Sequence, residues 1–325
     1  MINSKEGIMK EKVYPTVALG TWAWGTGVAG GDQVFGNSLT GDQLKLVFDA
    51  AMEAGLNLWD TATVYGMGAS EDILGGFVRE YPREDLILST KFTPQIADAA
   101  STNSVEKMLN ASLERLGTDY VDIYWIHNPA DVELWTPGLI PCLKSGKVKS
   151  VGVSNHNLAE LKRAEEILTA EGFHVSAVQN HYSLLYRSSE KAGILDYCKE
   201  NGMTFFAYMV LEQGALSGRY DTEHPLPEGS ARGETYNGQL PQIEKLVKVM
   251  RAVGEEHSAS VAQVAIAWAI AKGVLPLVGA TKPRHVAEAA VASRIKLTDE
   301  EMRLIEEIAA NTEADTRGSW EHPME

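Results

Sequence analysis

Short apolar runs recur along this chain, and each is followed by a longer stretch with the periodicity of an amphipathic helix. Several runs are almost continuously apolar, which is typical of strands in a parallel sheet that is covered on both faces. Strands are predicted at residues 17–20, 56–60, 86–91, 121–127, 148–154, 177–182, 204–208 and 274–279. A chain with this alternation is restricted to α/β architectures in which helices connect parallel strands.

The segments between the runs carry helix signals of their own. Residues 104–116 place Val105, Leu109 and Leu113 on one face at helical spacing. Other segments begin with capping-box spacing, in which two side chains satisfy unpaired amides of the first helical turn. These pairs are Thr40 with Gln43, Ser260 with Gln263 and Thr298 with Glu301.

About eight such units close a parallel barrel of roughly this length, so the predicted fold is a single (β/α)8 TIM barrel domain over residues 1–325. The alternative is an open doubly wound sheet, which favours a G-x-G-x-x-G turn after the first strand. The glycines in that region are spaced too irregularly for this turn. The longest predicted irregular loop, residues 221–238, would lie over the catalytic end of a barrel.

Composition excludes several classes of function. The formal net charge of −15 argues against binding to a nucleic-acid backbone, which requires clustered Lys and Arg. Cys142 and Cys198 are far apart, so no disulfide framework and no cysteine-based metal site are predicted. No stretch reaches the ~18 apolar residues of a membrane span, and no secretory signal pattern is present. We therefore expect a cytoplasmic protein with no metal; nothing in the pattern predicts its oligomeric state.

Polar side chains stand where the apolar runs stop. Asp60, Lys91 and His127 each end a run, and Tyr65 lies in the turn after Asp60. The carboxyl ends of neighbouring parallel strands meet at one rim of a barrel, so these four side chains are expected to converge there.

Convergence of these groups would make proton transfer feasible. A phenol that normally titrates near ~10 becomes a better acid beside an ammonium, and we expect Lys91 to lower the pKa of Tyr65 in this way. Asp60 would keep Lys91 charged, and His127 would position a carbonyl oxygen. Each group alone has a structural explanation, because ion pairs and buried histidines are common. An alternative reaction for this group of residues is that of a lyase or aldolase that uses Lys91 as a Schiff-base nucleophile.

The motifs in this region resemble those of the aldo-keto reductase superfamily. They are V-A-L-G-T-W-A-W-G, A-G-L-N-L-W-D-T-A-T-V-Y-G, L-S-T-K, D-I-Y-W-I-H-N-P and S-G-K-V-K-S-V-G-V-S-N, in the family's order. The resemblance implies a (β/α)8 barrel, hydride transfer between NADP(H) and a small carbonyl or alcohol substrate, and a catalytic tetrad. The tetrad maps onto Asp60, Tyr65, Lys91 and His127. NADPH is the implied cofactor, with NADH as an alternative.

The resemblance also implies cofactor contacts. Ser154, Asn155 and Gln179 would hold the nicotinamide carboxamide, Tyr208 would stack on the ring, and Lys282 with Thr281 would bind the 2′-phosphate. The remaining implied cofactor residues are Gly20, Thr21, Trp22, Leu211, Gly214, Leu216, Gly279, His285 and Glu288. The sequence departs from the family after the seventh strand, where Tyr-Ser-Pro-Leu is replaced by Tyr208, Met209, Val210 and Leu211. It also has Ala289 where the family's usual Glu-Asn pair has Asn.

For the substrate side, the residues expected to line the pocket are Trp22, Tyr65, Trp125, His127 and Asn128, with a role in the barrel core as the alternative for Trp125. The loop 212–238 and the tail 312–325, with Trp320 and His322, are candidates for the rest of the wall. A different class of function remains open, because some relatives of this family serve as cofactor-holding regulatory subunits with negligible turnover.

Overall fold

Eight parallel strands close into a barrel in the computed structural model, which describes residues 12–98 and 100–324. Each strand pairs with its neighbour in the chain, and β8 pairs with β1 to close the ring. The strands are β1 Ala18–Gly20, β2 Leu58–Asp60, β3 Ile87–Phe92, β4 Val121–Ile126, β5 Val148–Ser154, β6 Val175–His181, β7 Thr204–Tyr208 and β8 Leu275–Gly279. The predicted barrel is confirmed, and the open doubly wound sheet was the wrong alternative.

Helices connect the strands and cover the outside of the barrel. They are α1 Gly31–Phe35, α2 Gly41–Glu53, α3 Ala69–Val78, α4 Ser104–Leu116, α5 Val132–Trp135, α6 Leu139–Lys144, α7 Leu158–Thr169, α8 Ser188–Lys191, α9 Ile194–Glu200, α10 Ala231–Tyr236, α11 Leu240–Glu256, α12 Val261–Ala271, α13 Pro283–Ala292 and α14 Asp299–Ala310. Within residues 12–98 and 100–324, none of the helices combines the length and apolar character that crossing a membrane would require.

The helix starts follow from local chemistry. The three predicted capping boxes are confirmed at the first turns of α2, α12 and α14. A fourth forms at α7, where Asn157 and Glu160 each satisfy a backbone amide of the other. Such caps stabilise helix termini because the first four amides have no partner inside the helix.

One predicted loop was wrong in part. Residues 221–238 were expected to be irregular, but they contain α10 and a short 3₁₀ turn at Asn237–Gln239. The Ser230 side chain caps α10 by accepting a hydrogen bond from the Gly233 amide. The Gly- and Pro-rich composition concealed this helix, which is held by a local cap and by burial of Tyr236.

Apolar side chains fill the barrel interior. Trp125 on β4 is fully buried there and contacts Phe206 on β7 with ring centroids 5.2 Å apart. Gly152 on β5 makes room for the indole, because a Cβ at that position would lie 2.3 Å from the ring. Trp125 therefore packs the barrel core and does not line the cavity above it, in contrast to its predicted pocket position.

The carboxyl ends of the strands open into a cavity of about 1310 Å³. Its walls come from the loop after β1, the turn after β2, the long β7 loop, the start of α13 and residues Ser319 and Trp320 of the C-terminal tail. Asp60, Tyr65 and His127 lie on the wall of this cavity.

Candidate active site

The core of the site is a buried ion pair at the ends of β2 and β3. Lys91 Nζ and the Asp60 carboxylate form this pair with side chains 0% and 1% exposed. Asp60 Oδ1 also accepts hydrogen bonds from Ser89 Oγ at 2.6 Å and from Gln179 Nε2 at 3.1 Å. A charge removed from water requires such compensation, so the carboxylate is held in a fixed position.

Lys91 points from this pair toward Tyr65. Its Nζ donates to the Thr61 carbonyl at 2.8 Å and lies 3.3 Å from Tyr65 Oη. Tyr65 is half-buried on a 3₁₀ turn, Tyr65–Gly68, which brings its ring back over the strand ends. Three of the four predicted catalytic residues are thus joined by direct contacts.

Electrostatics at this point correct one expectation from the sequence. Burial raises the pKa of Tyr65 above its usual value, and the neighbouring Lys91 only partly offsets this. Burial alone would lower the pKa of Lys91, but Asp60 and Tyr65 raise it above the usual value. The phenol is therefore protonated and the amine charged near neutral pH. A charged lysine argues against the Schiff-base alternative, which needs a free amine.

His127 completes the group from the end of β4. Its ring lies edge-on to Tyr65 with centroids 5.9 Å apart, and its Nδ1 is 3.0 Å from Thr93 Oγ1. Burial and the charge of Lys91 hold the pKa of His127 well below its usual range. The imidazole is therefore neutral and can act as a hydrogen-bond donor or acceptor at a carbonyl oxygen.

A polar wall from β5, β6 and β7 stands beside this group. Asn155 adopts a left-handed φ of 61°, a strained conformation that points its amide into the cavity wall. The amide donates to the His127 carbonyl at 2.9 Å, and its Oδ1 accepts from Tyr208 Oη at 2.6 Å. Ser154, Gln179 and Tyr208 also line the cavity, so these four predicted residues lie together.

The loop after β7 is built from strained backbone. Met209, Glu212 and Gln213 have φ values of 57°, 46° and 51°, which non-glycine residues rarely adopt. The buried Glu212 side chain holds the loop, since it accepts from Tyr236 Oη at 2.7 Å and lies 3.0 Å from His181 Nε2. The chain lacks the family's usual Ser-Pro at this turn, and the Glu212 carboxylate stabilises the turn in its place.

The far end of the cavity is cationic. Thr281, Lys282, His285 and Glu288 line it as predicted, together with arginines that sequence reasoning missed. Within residues 12–98 and 100–324, Lys282 and three of these arginines form no ion pair with a carboxylate. The three arginines are Arg219 and Arg284 at this end, and Arg232, whose guanidinium lies 5.6 Å from the Phe35 ring toward the mouth. Arg232 Nε is buried without a hydrogen-bond partner in the same residues.

The structure separates a few predicted residues from the cavity. Thr21 and Leu216 are fully buried and do not line it. Thr21 instead lies behind the site, where its hydroxyl accepts a 2.7 Å hydrogen bond from Ser70. Gly20, Trp22, Leu211, Gly214 and Gly279 lie on the cavity wall.

Aromatic rings form the mouth of the cavity. Trp22 stacks on Tyr65 with centroids 5.7 Å apart. Phe35 and Trp320 approach Trp22 edge-on, at 5.4 Å and 5.5 Å. Asn128 lies on the same wall and donates to Gln95 Oε1 at 3.2 Å. The tail residue Trp320 is therefore part of the pocket.

Sequence reasoning also missed a buried acidic and basic cluster behind Tyr208. His181 ends β6, and its two nitrogens lie 3.0 Å from Glu212 Oε1 and 2.9 Å from Glu321 Oε1. The signal that identified His127, a titratable residue where an apolar run stops, also applied to His181. Its partners come from distant segments and carry no local signal.

Comparisons with known proteins agree with this geometry. The aldo/keto reductase family model matches residues 16–310. Pyridoxal reductase of Arabidopsis thaliana is 32% identical over 89% of this chain and 82% of its own length. The NADH-specific methylglyoxal reductase of Escherichia coli is 29% identical over 90% of this chain and 94% of its own length. The structure of a glycerol dehydrogenase from Gluconobacter oxydans superposes with a TM-score of 0.78 at 26% identity, covering 94% of each chain.

Proposed function

The chain belongs to the aldo/keto reductase family, and we propose that it is an NADPH-dependent reductase of small aldehydes or ketones, with Tyr65 as its general acid. The observation that carries this proposal is the contact chain from Asp60 through Lys91 to Tyr65, with the neutral His127 beside it. The same groups serve alcohol oxidation, with Tyr65 as the base.

The cavity has the features that a nicotinamide dinucleotide requires. Its volume of about 1310 Å³ exceeds the roughly 300–1,000 Å³ of ordinary ligand pockets, which leaves room for a dinucleotide and a substrate together. Its far end is lined by Lys282, Arg219 and Arg284, which form no ion pair with a carboxylate in the described part of the chain. When bound, the nicotinamide ring supplies the hydride that reduces the carbonyl carbon.

The chain's own residues supply the proton and the positioning. Tyr65 donates its phenolic proton to the carbonyl oxygen, and Lys91 stabilises the phenolate that remains. Asp60 keeps Lys91 charged and fixed through their buried pair. His127 directs the oxygen toward Tyr65 with a neutral imidazole, so no second charge competes with Lys91.

The cofactor would be held along the cavity wall. We assign the nicotinamide carboxamide to Ser154, Asn155 and Gln179, and the face of its ring to Tyr208. Leu211 and Gly214 would cover the pyrophosphate. At the adenosine end we assign the 2′-phosphate to Thr281 and Lys282, with His285 and Glu288 nearer the base. The cations that line this end, Lys282, Arg219 and Arg284, support NADPH over NADH.

The test is a screen of aldehydes and ketones with both nicotinamide cofactors, run with wild-type protein and Tyr65→Phe. Phe keeps the ring that stacks on Trp22 but removes the proton donor. We expect kcat to fall by about 10²–10⁴-fold. Cofactor affinity, measured by fluorescence titration, should stay within about twofold, because the hydroxyl is assigned no cofactor contact.

Two outcomes would contradict the proposal. A fully active Tyr65→Phe would remove Tyr65 from its role as the acid. Wild-type protein that binds NADPH tightly but turns over no carbonyl would support the regulatory-subunit alternative instead.

A further inference from the structure

The C-terminal tail is fastened to the barrel by a buried histidine. His181 is 0% exposed and lies between the carboxylates of Glu212 and Glu321, whose side chains are also 0% exposed. Its ring stacks between Tyr186 and Tyr208, with centroids 4.1 Å and 5.5 Å away. A carboxylate buried this completely requires charged or hydrogen-bonding partners, and the imidazole of His181 is one that holds Glu321 inside.

The same carboxylate touches the side chain assigned to the nicotinamide ring. Glu321 Oε1 lies 3.0 Å from Tyr208 Oη, which in turn lies 2.6 Å from Asn155 Oδ1. The preceding residue, Trp320, donates from Nε1 to Tyr208 Oη at 3.3 Å. Tail, tyrosine and amide wall thus form one hydrogen-bonded unit.

Anchoring at Glu321 also decides where Trp320 lies. Trp320 is 41% exposed and meets Trp22 edge-on, so its own packing is weak. Besides its hydrogen bond to Tyr208, the position of this ring is restricted by the contact of the next residue, Glu321, with His181. Trp320 and Trp22 border the space in front of Tyr65 where a carbonyl substrate would carry its side group.

We infer that Glu321 is a positioning residue for the proposed reduction: anchored by His181, it holds Trp320 over the substrate mouth, so that aromatic carbonyl compounds are selected through the tail. This inference rests on the proposed function. Among the contacts of the described residues, Glu321 does not touch Tyr65, Lys91 or His127, so it acts on binding and leaves the proton transfer itself alone.

A neighbouring tail residue, His322, provides the matched control, because it does not line the cavity, in contrast to the prediction for the tail. His322 Nε2 lies 3.0 Å from Glu160 Oε2, with both side chains about a third to a quarter exposed, at 34% and 26%. Partly exposed pairs of this kind contribute little, because water and salt screen them. His322→Gln changes the same tail one residue away without altering the contacts of Tyr208.

The first experiment compares steady-state kinetics of wild type, Glu321→Ala, Glu321→Gln and His322→Gln with benzaldehyde and with propanal. Glu321→Ala should raise the KM for benzaldehyde about tenfold, the cost of losing roughly one charge-assisted hydrogen bond. The KM for propanal, which is too small to reach Trp320, and both kcat values should stay within about threefold. The benzaldehyde KM of Glu321→Gln, which keeps a polar contact, should lie between those of wild type and Glu321→Ala. His322→Gln should have the wild-type kinetic constants.

The second experiment needs neither cofactor nor turnover. Hydrogen exchange of residues 312–324 should become at least about tenfold faster in Glu321→Ala than in wild type, because the tail opens locally. Exchange in β6 and β7 should be unchanged, since Glu212 still neutralises His181 and the barrel stays folded. His322→Gln should leave tail exchange close to that of wild type.

The possible results separate the two proposals. Unchanged benzaldehyde KM and unchanged tail exchange in Glu321→Ala would overturn the positioning role, as would an equal effect of His322→Gln. An equal fall in kcat for both substrates would also overturn it, because that is the mark of general destabilisation. Wild-type protein that reduces no carbonyl would overturn the proposed function. Hydrogen exchange of the tail would still show whether Glu321 anchors the tail to His181.

Discussion

At the scale of single residues, Thr93 controls the usable nitrogen of His127. The imidazole is neutral, so one nitrogen carries the proton and the other does not. Thr93 Oγ1 lies 3.0 Å from Nδ1, and a hydroxyl that donates there leaves the proton on Nε2. Only an Nε2 proton can be donated to a substrate oxygen, so Thr93 would select the productive tautomer.

This role predicts a difference between two substitutions. Thr93→Val removes the hydroxyl at nearly constant volume and should lower kcat by about tenfold, the effect of losing one buried hydrogen bond. Thr93→Ser retains the hydroxyl and should stay within about threefold of wild type. Steady-state kinetics with one aldehyde at saturating cofactor measures both. Equal kcat values for the two variants would show that Thr93 does not select the tautomer.

The sequence allowed the residues that meet in the candidate site to be predicted, but not their electrostatics. Asp60, Lys91 and His127 could be found because titratable residues interrupt apolar runs at strand ends. The direction of the Tyr65 pKa shift was predicted wrongly, because a nearby lysine is visible in a sequence but the loss of solvent around the phenol is not. The strained φ of Asn155 is equally invisible, since it depends on the packing of the strands on both sides.

At the scale of elements, the start of α13 carries the proposed preference for NADPH. Lys282 is the N-cap residue of this helix and Pro283 its first residue, which is the usual place for a helical proline. The free amides and positive dipole of a helix N-terminus attract an anion, and a cation at the cap adds to that field. Lys282 is exposed on the cavity rim and is free to meet a phosphate.

Removal of this cation should affect one cofactor selectively. Lys282→Ala should weaken NADPH binding by about ten- to a hundredfold, the cost of one or two charge-assisted hydrogen bonds, and should change NADH binding less than threefold. Lys296→Ala, an exposed lysine beyond the other end of α13, is the control and should change neither. Fluorescence titration gives the dissociation constants. Equal losses of affinity for NADPH and NADH would mean that Lys282 does not bind the 2′-phosphate.

The elements themselves were largely predictable, with errors where local patterns mislead. β5, β7 and α4 have the predicted bounds, and the other strands differ by one or two residues at their ends. β6 begins earlier, at Val175, and ends at His181, because pairing with β5 and β7 sets its limits. The missed helix α10 had a local signal in Ser230, but its burial against Glu212 depends on a residue in another segment.

At the scale of the whole molecule, closure of the barrel creates contacts that no local pattern encodes. Gln179 meets Asp60 across 119 residues of sequence, and Glu321 meets His181 across 140. The first contact follows from parallel strands that end at one rim, so the barrel prediction implies it. The second depends on the path of a tail without regular structure, which is why the anchor could be found only in the structure.

Buried histidines give the molecule a predictable dependence of stability on pH. Burial lowers the pKa of His181, but Glu212 and Glu321 outweigh this and raise it to about 9, with Tyr186 and Tyr208 as the other titratable groups against the ring. Its contribution is therefore complete below the ordinary value of 6.5 and is lost as pH rises through about 9. Burial lowers the pKa of His156 to about 4, so its effect has the opposite sign. Stability from that neutral imidazole is present above pH 6.5 and is lost as pH falls toward 4.

The two histidines together predict that the free energy of unfolding is greatest at about pH 6.5, where neither loss has begun. A plot of this free energy against pH should fall on both sides, along an acid limb and an alkaline limb. The alkaline limb should fall by about 1.4 kcal/mol per pH unit, the value for one linked proton. The acid limb should be steeper, because the pKa values of His127 and His285 are lowered as well as that of His156. Thermal or denaturant unfolding from pH 4 to pH 9 measures the curve. Glu321→Gln removes one of the two carboxylates that hold the His181 proton and should flatten the alkaline limb, whereas His156→Gln should flatten the acid limb only. A wild-type curve that keeps rising between pH 6.5 and 9 would mean that His181 is neutral, and the tail would then be held without a buried cation.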